Sequence, residues 1–160
     1  MKELIFLFAK IVGMTVVLLL VFIFMYGIHR SVEPVMAPAI QDGDLVLFYR
    51  LDKTYAARDV LLLKYKGQYQ VRRVVATAGD TVDITEEGLL INGALQQESG
   101  IHQKTERYVQ GVTFPLTVAE DQVFVLADSR KNSTDSRIYG AIAVKDTLGK
   151  VITILRRRNI

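Results

Sequence analysis

Residues 69–76 read Tyr69-Gln70-Val71-Arg72-Arg73-Val74-Val75-Ala76, a run rich in β-branched residues and free of glycine and proline. Such a run favours a strand, in which successive side chains point to opposite faces. A period of two sends Tyr69, Val71, Arg73 and Val75 one way and Gln70, Arg72, Val74 and Ala76 the other, so the adjacent arginines point in opposite directions. Short apolar runs of the same character recur at 45–49, 60–65, 82–84, 89–91, 114–118, 123–127 and 151–155. Turn chemistry rather than helical spacing separates them. Lys66-Gly67 and Asn92-Gly93 sit between such runs, and the latter is a favoured type I′ hairpin dipeptide because both positions need positive φ. The pattern predicts a mostly β fold of antiparallel strands. The stretch 96–107 is polar and without a clear period, which reads as a surface excursion or a short insertion.

Upstream the chain changes character. Residues 11–28 read IVGMTVVLLLVFIFMYGI, with no charge and only Thr15 and Tyr26 carrying polar side-chain groups. A helix of that length spans about 27 Å, close to the thickness of a bilayer core. The apolar stretch 4–9 extends it, with Lys10 snorkelling to the interface. The rival reading is a cleaved secretory signal, since Ala37-Pro38-Ala39 fits a small-x-small site. Such signals have apolar regions of only about 7 to 15 residues, and cleavage there would remove a motif of the folded domain. The expectation is a retained anchor: residues 1–30 form a short stub and a transmembrane segment, and residues 31–160 one β domain. Lys2 and Lys10 on one side face His29 and Arg30 on the other, so charge does not orient the helix.

Net charge is +3, from 20 Lys and Arg against 17 Asp and Glu. The basic residues are interspersed with acids and carry no interleaved aromatics, which argues against a nucleic-acid partner. Arg156-Arg157-Arg158 reads as a solvated tail, or as a patch for anionic lipid or cell-wall polymer. The absence of cysteine excludes disulfides, thiol nucleophiles and thiolate-bound zinc. His29 and His102 lie far apart and outside any ligand-spaced cluster, so neither a metal nor a cofactor is expected.

Three blocks carry a family resemblance over most of residues 32–151. The most specific is Leu126-Ala127-Asp128-Ser129-Arg130-Lys131-Asn132-Ser133-Thr134-Asp135-Ser136-Arg137-Ile138-Tyr139-Gly140. It packs Asp128, Arg130, Asp135 and Arg137 into one loop, and opposite charges at that density can hold a loop through bidentate contacts. This block is similar to the GDNRxxSxDSRxxG pattern of type I signal peptidases, the S26 serine-lysine proteases that remove signal peptides from exported proteins. Leu148-Gly149-Lys150-Val151 continues the likeness. Val35-Met36-Ala37-Pro38-Ala39-Ile40, then Gly43-Asp44-Leu45-Val46-Leu47, resembles the family's SMxPTL block and the Gly-Asp that leads into a strand. Arg72-Arg73-Val74-Val75-Ala76-Thr77-Ala78-Gly79-Asp80 resembles KRVxGxPGD.

The resemblance implies an antiparallel signal-peptidase-like β domain on the extracytoplasmic side of the cell membrane, held by one N-terminal transmembrane helix. It also places Val35 where the family has its nucleophilic serine and Arg72 where it has its lysine base. A hydrocarbon offers no nucleophilic atom, and a guanidinium has no free lone pair with which to take a proton. The implied peptide-binding cleft and motif residues are Glu33, Met36, Pro38, Arg73, Asp128, Ser133, Asp135, Ser136 and Arg137. Ser133 aligns with the serine that orients the lysine, and here either bonds Arg72 or caps its own loop. Glu33 either pairs with Arg72 or stays exposed near the membrane. Ala78, Ala127 and Ser129 depart from the family's Pro, Gly and Asn.

Binding outlives cleavage, because an extended peptide is held by backbone hydrogen bonds along a sheet edge rather than by a nucleophile. The resemblance extends to non-catalytic signal-peptidase-like proteins of Gram-positive pilus gene clusters. The expectation is a membrane-tethered chaperone or assembly factor whose partner is a secreted precursor, a pilin first. Two alternatives are an active peptidase that uses Ser31 with Lys64 or Lys66, and a structural relic without a client.

Overall fold

The computed structural model describes residues 1–101 and 103–156. His102, and Arg157 and Arg158 of the basic run, lie outside the described residues.

Helix α1 (Lys2–Met25) has 24 residues, none of them buried by protein, and contains an 18-residue stretch with a mean hydropathy of 2.7. At 1.5 Å per residue it is about 36 Å long, enough to cross a bilayer. It stops three residues before the apolar stretch does, because Tyr26–Arg30 forms strand β1. Strand β1 pairs with β2 (Leu45–Tyr49) from Tyr26 opposite Tyr49 to Arg30 opposite Leu45. Apolar composition alone read residues 26–30 as the end of the anchor; pairing instead puts them in the sheet. Gly27 permits this approach, since a Cβ there would run into the Phe48 ring.

Two antiparallel sheets follow. The larger takes in β3 (Val60–Tyr65), β4 (Gln68–Thr77), β9 (Gln122–Leu126), β10 (Ile142–Ala143) and β11 (Thr147–Leu155), in the order β1-β2-β11-β3-β4-β9-β10. The smaller comprises β5 (Thr81–Ile84), β6 (Leu89–Ile91), β7 (Ala94–Leu95) and β8 (Leu116–Thr117), in the order β7-β6-β5-β8. The mostly β, antiparallel expectation holds. At the hairpin tips Asn92 and Gly93 have φ of 53° and 80°, and Lys66 and Gly67 have 47° and 84°, as type I′ geometry requires. The run at 114–118 contracts to Leu116–Thr117, since Pro115 has no N–H to give a ladder.

Leu61, Leu62 and Leu63 are all fully buried because both faces of β3 are covered. Met36, Val46, Phe48, Leu62, Val71 and Ala127 pack on one side; Leu61, Leu63, Val74, Val123 and Val125 pack on the other. A third cluster around Val82, Ile84, Leu89, Phe124 and Leu126 takes in residues of both sheets. On β4 the expected alternation places Val71 and Val74 in opposite clusters. A register shift against β9 between Val74 and Ala76 then lets both Val75 and Ala76 pack into the third.

Residues 68–72 of β4 pair with β3, whereas β9 joins β4 only from Arg73 onward. The segment 31–36 lies against that open edge, sharing a small cavity with Tyr69, Val71 and Arg72.

Candidate functional site

Val35 sits in a 3-10 turn over Pro34–Met36, with Pro34 at its first position, where the missing N–H costs nothing. Met36, 1% exposed, roots the turn in the core. The Val35 carbonyl accepts from Ser129 N at 2.7 Å, tying the turn to the charged loop.

Arg72 reaches into the same place from β4 and is 1% exposed. Its Nε donates to Thr134 O at 2.9 Å, and its Nη1 donates to Glu33 Oε2 at 3.0 Å and to Val71 O at 2.7 Å. A buried guanidinium is tolerated only when charge and hydrogen bonds compensate its lost hydration, and Glu33 supplies the charge. Of the two alternatives for Glu33, the pairing with Arg72 is the one formed. Ser133 does not bond Arg72: its Oγ donates to Asp135 Oδ2 and accepts from Arg137 Nη2, at 3.1 and 2.9 Å. The space left among Ser31, Glu33, Val35, Tyr69, Val71 and Arg72 is about 10 Å³, room for one water at most. His29 lines it too, its ring centre 5.3 Å from that of Tyr69. Burial holds the His29 imidazole below its usual value, with the Glu33 carboxylate opposing the shift.

Ser31 is buried, and its Oγ donates to Glu33 O at 3.4 Å. Leu61, not Lys64, lies opposite Arg72 across the β3–β4 pair. Lys64 is exposed, faces Tyr69, and holds its Nζ 5.4 Å from that ring. Lys66 lies over Tyr65. A lysine base needs burial to shed its proton, and neither side chain has that environment.

The remaining motif residues mostly face inward. Asp135 is fully buried. Its Oδ1 accepts from Arg137 N and Nε at 3.1 and 2.9 Å, and its Oδ2 accepts from Ala127 N and Arg137 Nη2 at 3.2 and 2.8 Å. Asp135 also N-caps the short helix α2 (Ser136–Tyr139). Ser136 Oγ accepts from Val125 N at 2.9 Å, and Arg137 lies 4.5 Å from the Tyr108 ring centre. Arg73, on the face opposite Arg72, grips Asp128 with two bonds of 2.7 and 2.6 Å, and that carboxylate raises the Arg73 pKa. Arg73, Asp128 and Pro38 border a larger cavity on this side of β4.

Sequence reasoning missed the partners of Arg130. This guanidinium is buried and donates to Thr105 Oγ1 at 2.7 Å and to Glu98 Oε1 at 2.6 Å. Gln103 Oε1 accepts from Lys131 N at 3.1 Å, and Glu106 O accepts from Arg137 Nη1 at 3.2 Å. The stretch 96–107 is therefore more than a surface excursion, since its acceptors bond two buried arginines, leaving Arg130 Nε without a partner among the described residues. Four charges in one short loop were the available signal, because buried cations require acceptors from elsewhere. Arg156 departs from the solvated-tail reading as well: it pairs with Asp44 Oδ2 at 3.1 Å and donates to Ala39 O at 3.0 Å.

The family described as signal peptidase, peptidase S26, matches residues 1–155. Signal peptidase I of Bacillus licheniformis is 28% identical over 85% of this chain and 80% of its own length. Signal peptidase I of Bacillus amyloliquefaciens is 29% identical over 64% of this chain and 60% of its own. The probable thylakoidal processing peptidase 2 of Arabidopsis thaliana is 32% identical over 51% of this chain, which spans 21% of that relative. The crystal structure of a signal peptidase I from Enterococcus faecalis V583 superposes with a TM-score of 0.51 at 26% identity, covering 62% of this chain and 97% of that one. With matching motif blocks, antiparallel fold and an apolar N-terminal helix, the chain belongs to the signal peptidase (peptidase S26) family.

Proposed function

We propose that this protein is a membrane-tethered holder of secreted precursors, a pilin first among them, that binds its client without cutting it. One observation carries the reading: at the position of the family's base, a buried guanidinium is bound to Glu33 and Thr134 beside a valine where the nucleophile would stand. At the two dyad positions valine offers no nucleophilic atom and the guanidinium no free lone pair with which to take a proton, while the one carboxylate beside them, Glu33, is engaged by Arg72. What persists is the edge of β4 at residues 68–72, which β9 leaves unpaired and the segment 31–36 covers. Gln68 and Tyr69 are exposed there, and displacing the cover over the buried residues 70–72 would let one extended strand add to the edge. A client entering there displaces the Glu33 side chain, which is one third exposed. In this reading α1 crosses the membrane once and the β domain lies outside the cytoplasm. The competing peptidase reading requires Ser31 to meet Lys64 or Lys66, whereas Lys64 lies opposite Tyr69 and Lys66 over the Tyr65 ring.

The test uses the full chain in nanodiscs and a fluorescent pilin precursor peptide. Saturable binding that is lost on substituting Tyr69→Asp on the open edge supports the proposal. Absence of binding to any precursor peptide contradicts it and leaves the relic reading.

A further inference from the structure

The two sides of β4 differ in how much room they leave. On the Arg72 side about 10 Å³ is free; on the Arg73 side there is a cavity of about 340 Å³, a size found among ligand pockets of roughly 300 to 1,000 Å³. Val75 and Leu89 supply apolar surface, Pro38 and Ala39 border it on one side, and the segment 96–101 borders it on another. Four charged side chains line it: Arg58, Arg73, Glu98 and Asp128. Asp128 is gripped by Arg73, and Glu98 by the buried Arg130. Among the described residues the exposed Arg58 guanidinium has neither a hydrogen bond nor an ion pair, so it is the one charge at the cavity without a protein partner.

Its backbone points the same way. Arg58 has φ of 79°, a conformation that bulky residues rarely adopt and that persists only where its surroundings enforce it. Two bonds enforce it here: Arg58 N donates to Val74 O at 2.8 Å, and Arg73 Nη1 donates to Arg58 O at 3.1 Å. The Arg73–Asp128 pair and β4 thus fix a strained turn that leaves a free cation beside an apolar hollow. Strain of this kind gathers at ligand clamps.

We infer that this cavity is a second anchoring point for the client polypeptide, taking one apolar side chain together with an adjacent carboxylate that meets Arg58. The inference rests on the peptide-holding reading above. A polypeptide is favoured by continuity: Pro38 follows Val35 by three residues, at most about 11 Å of extended chain, so a strand passing Val35 reaches the cavity within a few residues. Arg58 then selects for acidic residues in that part of the client.

The experiment is fluorescence anisotropy with the full chain in nanodiscs and synthetic peptides carrying an apolar stretch, Ala-x-Ala and ten further residues. A Leu-Glu pair is moved through those ten positions, with Leu-Lys as the control and a peptide cut after Ala-x-Ala as the reference. At one placement Leu-Glu should bind about fivefold tighter than Leu-Lys, the size of a partly exposed ion pair. Arg58→Glu should reverse that preference. Ala57→Trp, at an exposed position on the cavity, should abolish it without changing affinity for the cut peptide. If the cut peptide binds but no placement adds affinity, or if both variants keep the wild-type preference, the second anchor is wrong and the holding function stands. If no peptide binds, both fall together.

Discussion

Arg72 Nη1 donates to Glu33 Oε2 at 3.0 Å, joining residues 39 positions apart. The next residue, Arg73, grips Asp128 on the opposite face of the same strand. Alternation along β4 therefore converts two adjacent arginines into two separate clamps. One closes the site at Val35, and the other borders an open cavity. The proposed holding function rests on the first clamp, because Arg72 stands at the position that the family resemblance assigns to the lysine base.

Removing one partner of that clamp leaves a buried cation. Glu33→Ala should destabilise the fold by about 1 to 3 kcal/mol, less than the roughly 3 to 5 of a fully enclosed pair because Glu33 is 32% exposed. Glu33→Gln keeps an acceptor and should lose less. Thermal unfolding of the full chain in detergent micelles measures both, and equal melting of wild type and Glu33→Ala would show that the pair contributes nothing.

Asp135 has no such access to water. Its carboxylate takes the Arg137 guanidinium, two backbone N–H groups and the Ser133 hydroxyl, and both charged partners are at most 1% exposed. Asp135→Ala should cost about 3 to 5 kcal/mol and abolish a cooperative melt. Asp135→Asn, which keeps the shape but not the charge, should fall between it and wild type.

Gly149 has φ of 154°, and a Cβ there would run into the Tyr49 carbonyl. The residue lies where β11 changes partner: it pairs with Leu62 of β3, and the next residue, Lys150, is already opposite Tyr49 of β2. Gly149→Ala should lower the urea midpoint by the equivalent of about 1 to 3 kcal/mol. Gly13→Ala, with open space around it in α1, should leave the midpoint unchanged.

Stability should fall in mild acid through His29. Burial lowers its folded value below the ordinary 6.5, so between those two values the unfolded chain binds more protons than the folded one. Stability is then full above about pH 6.5 and declines as pH drops below it. His29→Gln should flatten this part of a stability profile against pH, and an unchanged profile would remove His29 as its source.

Much of this was legible in the sequence because its signals are local. Period two in 69–76 placed Arg72 and Arg73 on opposite faces, and Asn92-Gly93 announced its turn. The resemblance located Val35 and Arg72, and the structure brings them to one place with Glu33. Illegible features depend on contacts distant in sequence. Nothing local distinguishes Tyr26–Arg30 as a strand from the end of an apolar helix; only pairing with β2 does so. The two-residue strands β7 and β10 are too short to show a period. Glu98 and Thr105 look like loop polarity until Arg130, 32 and 25 positions away, is found buried between them. The positive φ of Arg58 has no signal in its residue type.

Intact mass spectrometry of a pilin precursor, sampled over hours with the reconstituted full chain, tests the central claim most directly. The account predicts one precursor mass throughout, with the peptide bound and no adduct on the protein. A discrete N-terminal fragment appearing with time, or an acyl group on any residue of this chain, would contradict it.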